Sequence, residues 1–187
     1  MPAPFVILGT PRSGTAWLAK LLTYPPVTTL HEPSLNFQNM GDLARLLDAR
    51  DTGIVDSALT LRWRDVVRLR PDVRIMIVHR PRDEVIESAC RAMEISKAMA
   101  RLRLGLIETA IAEIRDARAT FDVPFQALFD RRTAAQVFWY CLDRTLPEHH
   151  WLRWKDTNVQ IDPKVLQDNI AGNAESLNRF YPELAGA

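Results

Sequence analysis

The chain has 187 residues, 47% hydrophobic and 25% charged, with a formal net charge of +1. That length and balance suit one globular domain whose core needs no metal or disulfide support. The small net charge gives no global case for nucleic acid or an acidic membrane surface, and no apolar run reaches the ~18 residues of a membrane span.

Residues 5–8 are continuously apolar, the pattern of a strand covered on both faces. After a polar loop, Trp17, Leu18, Leu21 and Leu22 share one helical face, which predicts a helix to about residue 24, stopped by Pro25 and Pro26. "VTTLHEP" reads as a second strand ending near His31 and Glu32, and residues 41–50 as a helix through Leu43, Leu46 and Leu47. "GIVDSA" is a third strand, and "VRIMIVHR" (73–80) is the strongest strand signal in the chain. A long helical region is expected over 83–120, with Gly105 its candidate break, then a helix over 133–144. "HHWLRWKD" (149–156) reads as a last strand and residues 162–180 as a helical tail. Trp139 and Tyr140 read as core, and "AIAEIRDARATF" as a solvated helix face with i, i+4 charge pairs. Cys90 and Cys141 have apolar, helix-like surroundings and no metal-ligand spacing, which points to small core residues of a reduced, cytoplasmic protein. The first strand begins too early to leave room for a signal peptide.

Strands alternating with helices predict an α/β domain, a three-layer α/β/α sandwich around a parallel sheet. Ligands of such sheets sit beyond the carboxyl ends of the strands, where "TPRSGT", "HEP" and "HRPR" all fall. Arginine outnumbers lysine 20 to 4; codon bias produces the same excess as anion recognition, so position, not number, must identify an anion site. In "GTPRSGTAW", Gly14 lets the backbone approach an oxyanion, Ser13 and Thr15 offer hydroxyls, and Arg12 adds a fixed charge at a helix N-terminus. Gly9 and Gly14 have the spacing of the nucleotide-kinase loop. Thr15, however, stands where that loop has lysine, and Ala16 where it has the magnesium-binding hydroxyl. A plain capped turn is the alternative reading.

"PRSGTAWL" resembles the 5′-phosphosulfate loop of sulfotransferases that use 3′-phosphoadenosine 5′-phosphosulfate (PAPS). The resemblance implies that Arg12 contacts the phosphosulfate, that Ser13, Gly14 and Thr15 cradle the 5′-phosphate, that Ala16 occupies a nucleotide-binding position, and that Trp17 stacks near the adenine. Ala16 departs from the family's usual second threonine. The family's 3′-phosphate site resembles "IVHRPRDEVIESA", in which Arg80 ends a strand and Ser88 follows eight residues later; an arginine fork with a nearby hydroxyl suits a terminal phosphate. Taken alone, Arg80 reads equally as an ion-pair partner of Glu84. "LHEP" is similar to bacterial and tyrosylprotein sulfotransferases, where a glutamate there is the proposed base. "WLRWKDTNVQIDP" and "FYPEL" are similar, more weakly, to the family's late segment.

The resemblance implies a P-loop NTPase-like topology and in-line sulfuryl transfer to a hydroxyl or amine of a small molecule or sugar, with PAPS as co-substrate and no metal. Arg12 and Glu32 are the expected catalytic residues and His31 the alternative base, since neighbours on a strand point to opposite faces and only one of the pair should reach the site. The chain is short for the family and lacks its glycine-rich lid segment, so the lid is reduced, supplied by a second copy in a homodimer, or lost with activity. Two other readings stay open: a P-loop kinase with an altered loop, and a non-catalytic nucleotide-binding descendant.

Overall fold

The structure, a computed structural model, describes residues 4–157 and Val159. Phe5–Gly9 forms strand β1, buried along its whole length. Its side chains alternate: Phe5 and Ile7 enter one core, Val6 and Leu8 the other. Ile75 and Ile77, against Met76 and Val78, divide in the same way on β4 (Arg74–His79). Fully burying each such aliphatic side chain contributes about 1.5–3 kcal/mol, so these two strands anchor the sheet.

Five parallel strands lie in the order β2-β3-β1-β4-β5, with β2 at Thr28–His31, β3 at Thr52–Val55 and β5 at Phe121–Pro124. Helices α1 (Thr15–Leu22), α6 (Arg131–Leu142) and α7 (Glu148–Trp154) supply the core on one face. Helices α2 (Met40–Asp48), α3 (Trp63–Leu69) and α5 (Lys97–Ala117) supply the other, and α4 (Arg82–Met93) packs on α5. This is the expected three-layer α/β/α arrangement with an all-parallel sheet. Among the described residues, no helix is long and apolar enough to cross a membrane.

Several local expectations are corrected. The strand expected over 149–156 is helix α7: His150 and Trp151 are buried while His149, Leu152 and Arg153 face outward, a helical rather than alternating pattern. The helical region over 83–120 breaks at Glu94, which has φ 53°, and restarts at Ser96, whose hydroxyl accepts from Met99 N at 3.2 Å. Gly105 lies inside α5 against open space, where a missing side chain leaves no gap. The region ends at Ala117, and β5, a strand not expected from the sequence, follows it at the sheet edge and closes on Pro124, as edge strands tolerate. The charged face of α5 pairs across elements, Arg115 with Asp122 and Glu113 with Arg64, rather than along the helix. Trp139 is 59% exposed, not core. Tyr140 packs against the core and donates to Ile75 O, and of the two cysteines only Cys141 is fully buried. The expected tail helix and "FYPEL" lie outside the described residues.

At Gly9 the strands come too close for any side chain: an added Cβ would stand 1.9 Å from Val78 O, at a backbone φ of 153°. Gly9→Ala must therefore part β1 from β4, and we expect it to cost about 3 kcal/mol or more in urea denaturation. An unchanged midpoint would show that the pairing is not needed.

Candidate functional site

Three chain segments leave the carboxyl end of the sheet side by side. The first, residues 10–14, turns from β1 into α1. Thr10 N donates to Val78 O (3.1 Å), and the Thr10 and Ser13 hydroxyls share a buried 2.5 Å hydrogen bond that folds the turn on itself. Gly14 caps α1 at φ 78° with no side-chain cap, and no acidic residue occupies the first turn. The positive helix end therefore meets no anion of its own. The Phe125 ring lies under Gly14, 3.0 Å from where a Cβ would stand. Arg12 adopts φ 63°, a left-handed conformation that costs a non-glycine residue on the order of 1–3 kcal/mol and persists only where the surroundings enforce it.

The second segment, from β4 into α4, meets the first. Arg80 N donates to Thr10 Oγ1 (3.2 Å), and Arg80 Nη1 donates to Arg12 O (3.2 Å). Arg12 Nε in turn donates to Ser88 Oγ (3.2 Å), across 76 positions of sequence. The two turns singled out in the sequence thus touch. Arg80 also pairs with Glu84 (2.7 Å) and stacks over the Phe125 ring (4.6 Å), so the ion-pair reading of Arg80 holds together with its place beside Arg12. Partial burial, and then the Arg80 charge, lower the pKa of the Arg12 guanidinium. Two arginines share the space with one carboxylate, an arrangement an anion would relieve.

The third segment ends β2. His31 Nε2 and Thr15 Oγ1 are 3.0 Å apart, which ties the imidazole to the loop. Burial, then Lys20, then Arg12 push the His31 pKa down to about 4. Glu32 leaves the strand at φ 47°, which breaks the expected alternation: its Oε1 comes 3.9 Å from His31 Nε2, so both members of the pair reach the same region. Glu32 Oε1 accepts from Ser57 Oγ (2.9 Å) and both oxygens accept from Ser57 N (3.2 Å). Burial, followed by the neighbouring Asp56, raises the Glu32 carboxyl well above the usual range. Burial also raises the fully buried Asp56 carboxyl, against the pull of Ser34 N (2.9 Å) and Leu59 N (3.0 Å), which donate to it.

Arg12, Ser13, Gly14, Thr15, Arg80, Ser88, His31 and Glu32 are therefore gathered at one end of the sheet, and Ala16 lines the adjoining pocket wall. Trp17 is not: it is 2% exposed, packs on Phe129 and Trp151, and donates Nε1 to Trp154 O (2.9 Å). Thr10, Asp56 and Phe125 escaped the sequence reading. Thr10 and Asp56 were open to it, since each is a polar residue just past the carboxyl end of an apolar strand. Phe125 carries no such signal.

No family model and no curated protein matches the chain. Among solved structures it is similar to a sulfotransferase from Alicyclobacillus acidocaldarius, with 15% identity and TM-score 0.54, covering 98% of this chain and 96% of that one. It is similar to the sulfotransferase domain of the Synechococcus PCC 7002 olefin synthase (14%, TM-score 0.52, 91% and 95% covered). A sulfotransferase domain from the curacin biosynthetic pathway gives 13%, TM-score 0.54, with 94% and 98% covered. The chain has the sulfotransferase fold.

His31 supplies a pH dependence. Its folded pKa lies below its ordinary 6.5, so folding favours the neutral ring. The stability it contributes is present in full above pH 6.5 and is lost as the pH falls toward 4, because the unfolded chain protonates first. NMR titration should find the imidazole neutral until about pH 4, and His31→Gln should lose less stability than the natural chain across that window. An ordinary titration near 6.5 would mean that the ring is solvated.

Proposed function

We propose that the protein transfers a sulfuryl group from PAPS to a hydroxyl or amine acceptor. What supports this reading is the meeting of two turns at 3.2 Å, Arg12 to Ser88, because the two resemble opposite ends of one donor site in a chain with the sulfotransferase fold. The open helix end, the crowding of Phe125 under Gly14 and the two adjacent arginines make a cradle that suits a doubly anionic nucleotide better than a single phosphate.

In this reading Arg80 and Ser88 receive the 3′-phosphate, while Ser13, Gly14 and Thr15 hold the 5′-phosphate. PAPS supplies an activated sulfuryl group: the bond from sulfur to the bridging oxygen breaks as the bond to the acceptor oxygen or nitrogen forms. Arg12 and the loop amides stabilise the charge left on the 5′-phosphate, worth about 3 kcal/mol per preorganised donor. Their fixed charge takes the place of a metal clamp. Glu32 accepts the acceptor's proton; burial and the neighbouring Asp56 raise its carboxyl above the usual range, which makes its carboxylate a stronger base. His31, held neutral between Glu32 and Thr15, orients the attacking group.

Calorimetry tests the donor site. 3′-Phosphoadenosine 5′-phosphate should bind with or without Mg²⁺ and more tightly than AMP. Arg80→Ala should weaken it about 10- to 100-fold, the loss of a charge-assisted contact, and leave AMP nearly unchanged. Equal binding of the two nucleotides would overturn the Arg80 and Ser88 assignment, and preferential Mg²⁺-dependent binding of ATP would restore the kinase reading. Turnover tests the base: Glu32→Gln should keep nucleotide affinity and lose about 10²- to 10⁴-fold in kcat. Full activity would remove Glu32 from that role.

A further inference from the structure

Next to the loop lies an opening of about 610 Å³ between α1, β2 and α7, within the size range of small-molecule sites. Ala16 and His31 form the wall it shares with the loop, while Leu30 and Trp154 give it apolar surface. Among the described residues its charged lining side chains are Lys20 and Arg153, with no aspartate or glutamate. Among the described residues neither cation has a carboxylate partner, unlike Arg70, Arg74, Arg80 and Arg115. The indole Nε1 of Trp154 is buried and, among the described residues, has no acceptor. The Lys20 charge reaches the His31 end of the pocket, where it helps hold the imidazole neutral. Among the described residues, the pocket thus combines two cations and an unused N–H donor with an aromatic face over which Arg153 already lies (5.0 Å), and no carboxylate.

We propose that this pocket receives the acceptor and that the acceptor is an anion: a small hydroxyl compound whose carboxylate, sulfate or phosphate is held by Lys20, Arg153 and Trp154 Nε1. Its apolar body lies against Trp154 and Leu30, and its hydroxyl points to His31 and the loop. The proposal rests on the sulfuryl-transfer reading for the reaction, but its charge preference belongs to the pocket alone.

A charge series on one scaffold tests it: 4-hydroxyphenylacetate, its methyl ester and tyramine, titrated calorimetrically into the full chain with and without 3′-phosphoadenosine 5′-phosphate. The acid should bind about tenfold more tightly than the ester, with the amine weakest. Lys20→Met and Arg153→Met should each cost the acid roughly fivefold, the upper end for a partly exposed charge pair, without changing ester or nucleotide affinity. With PAPS present, the acid should be the sulfated member of the series. A flat or reversed order, no binding of the acid at millimolar concentration, or indifference to both substitutions would overturn the proposal. If the acid binds in the expected order while the nucleotide does not bind, the pocket assignment stands and the sulfuryl-transfer reading falls.

Discussion

The close pairing of β1 with β4 is the constraint on which the site depends. Five consecutive residues pair in register, from Phe5 opposite Arg74 to Gly9 opposite Val78. At the last of them only a hydrogen fits between the strands. Because the pairing is held to its very end, the turns that follow emerge abreast, and Thr10 can bond Val78 on one strand and Arg80 beyond it. The contacts of Arg12 with Ser88 and of Arg80 with the Arg12 carbonyl are consequences of that register. The site is assembled by backbone geometry first and by side-chain chemistry second.

Burial acts on the site's titratable groups in opposite directions with one result. It lowers the imidazole of His31 and raises the carboxyl of Glu32, so each is driven toward its neutral form. The arginines resist the same pressure because guanidinium keeps its proton. What remains is a pair of fixed positive charges beside a neutral imidazole and a carboxyl that holds its proton more readily than an exposed one.

The parts of this arrangement that the sequence displayed are those whose signal is local. β1 and β4 are short apolar runs, and each of the two turns is a continuous strand–turn–helix segment whose residue types state their chemistry within about a dozen positions. β5 has a single fully buried residue, Val123, and an edge strand needs no more, so its apolar pattern is too sparse to read. α7 reads as a strand because its aromatic residues favour sheets in general, while its true register appears only once His150 and Trp151 are seen against α1 and α6. Trp17 shows the same limit at the site: its position beside the loop suggests a ligand contact, but Phe129, Trp151 and the Trp154 carbonyl already surround it. The convergence of His31 and Glu32 depended on one left-handed residue, which composition does not announce.

Thr15 stands between the two halves of the site, and a hydroxyl carries one proton. An oxyanion seated in the turn claims that proton, and Thr15 can then only accept from His31, which must carry its hydrogen on Nε2. With the turn empty, the opposite tautomer is equally able to close the 3.0 Å contact. The ring's tautomer is thereby coupled to whether an oxyanion sits in the turn, and the edge that the imidazole presents to the neighbouring pocket changes with it.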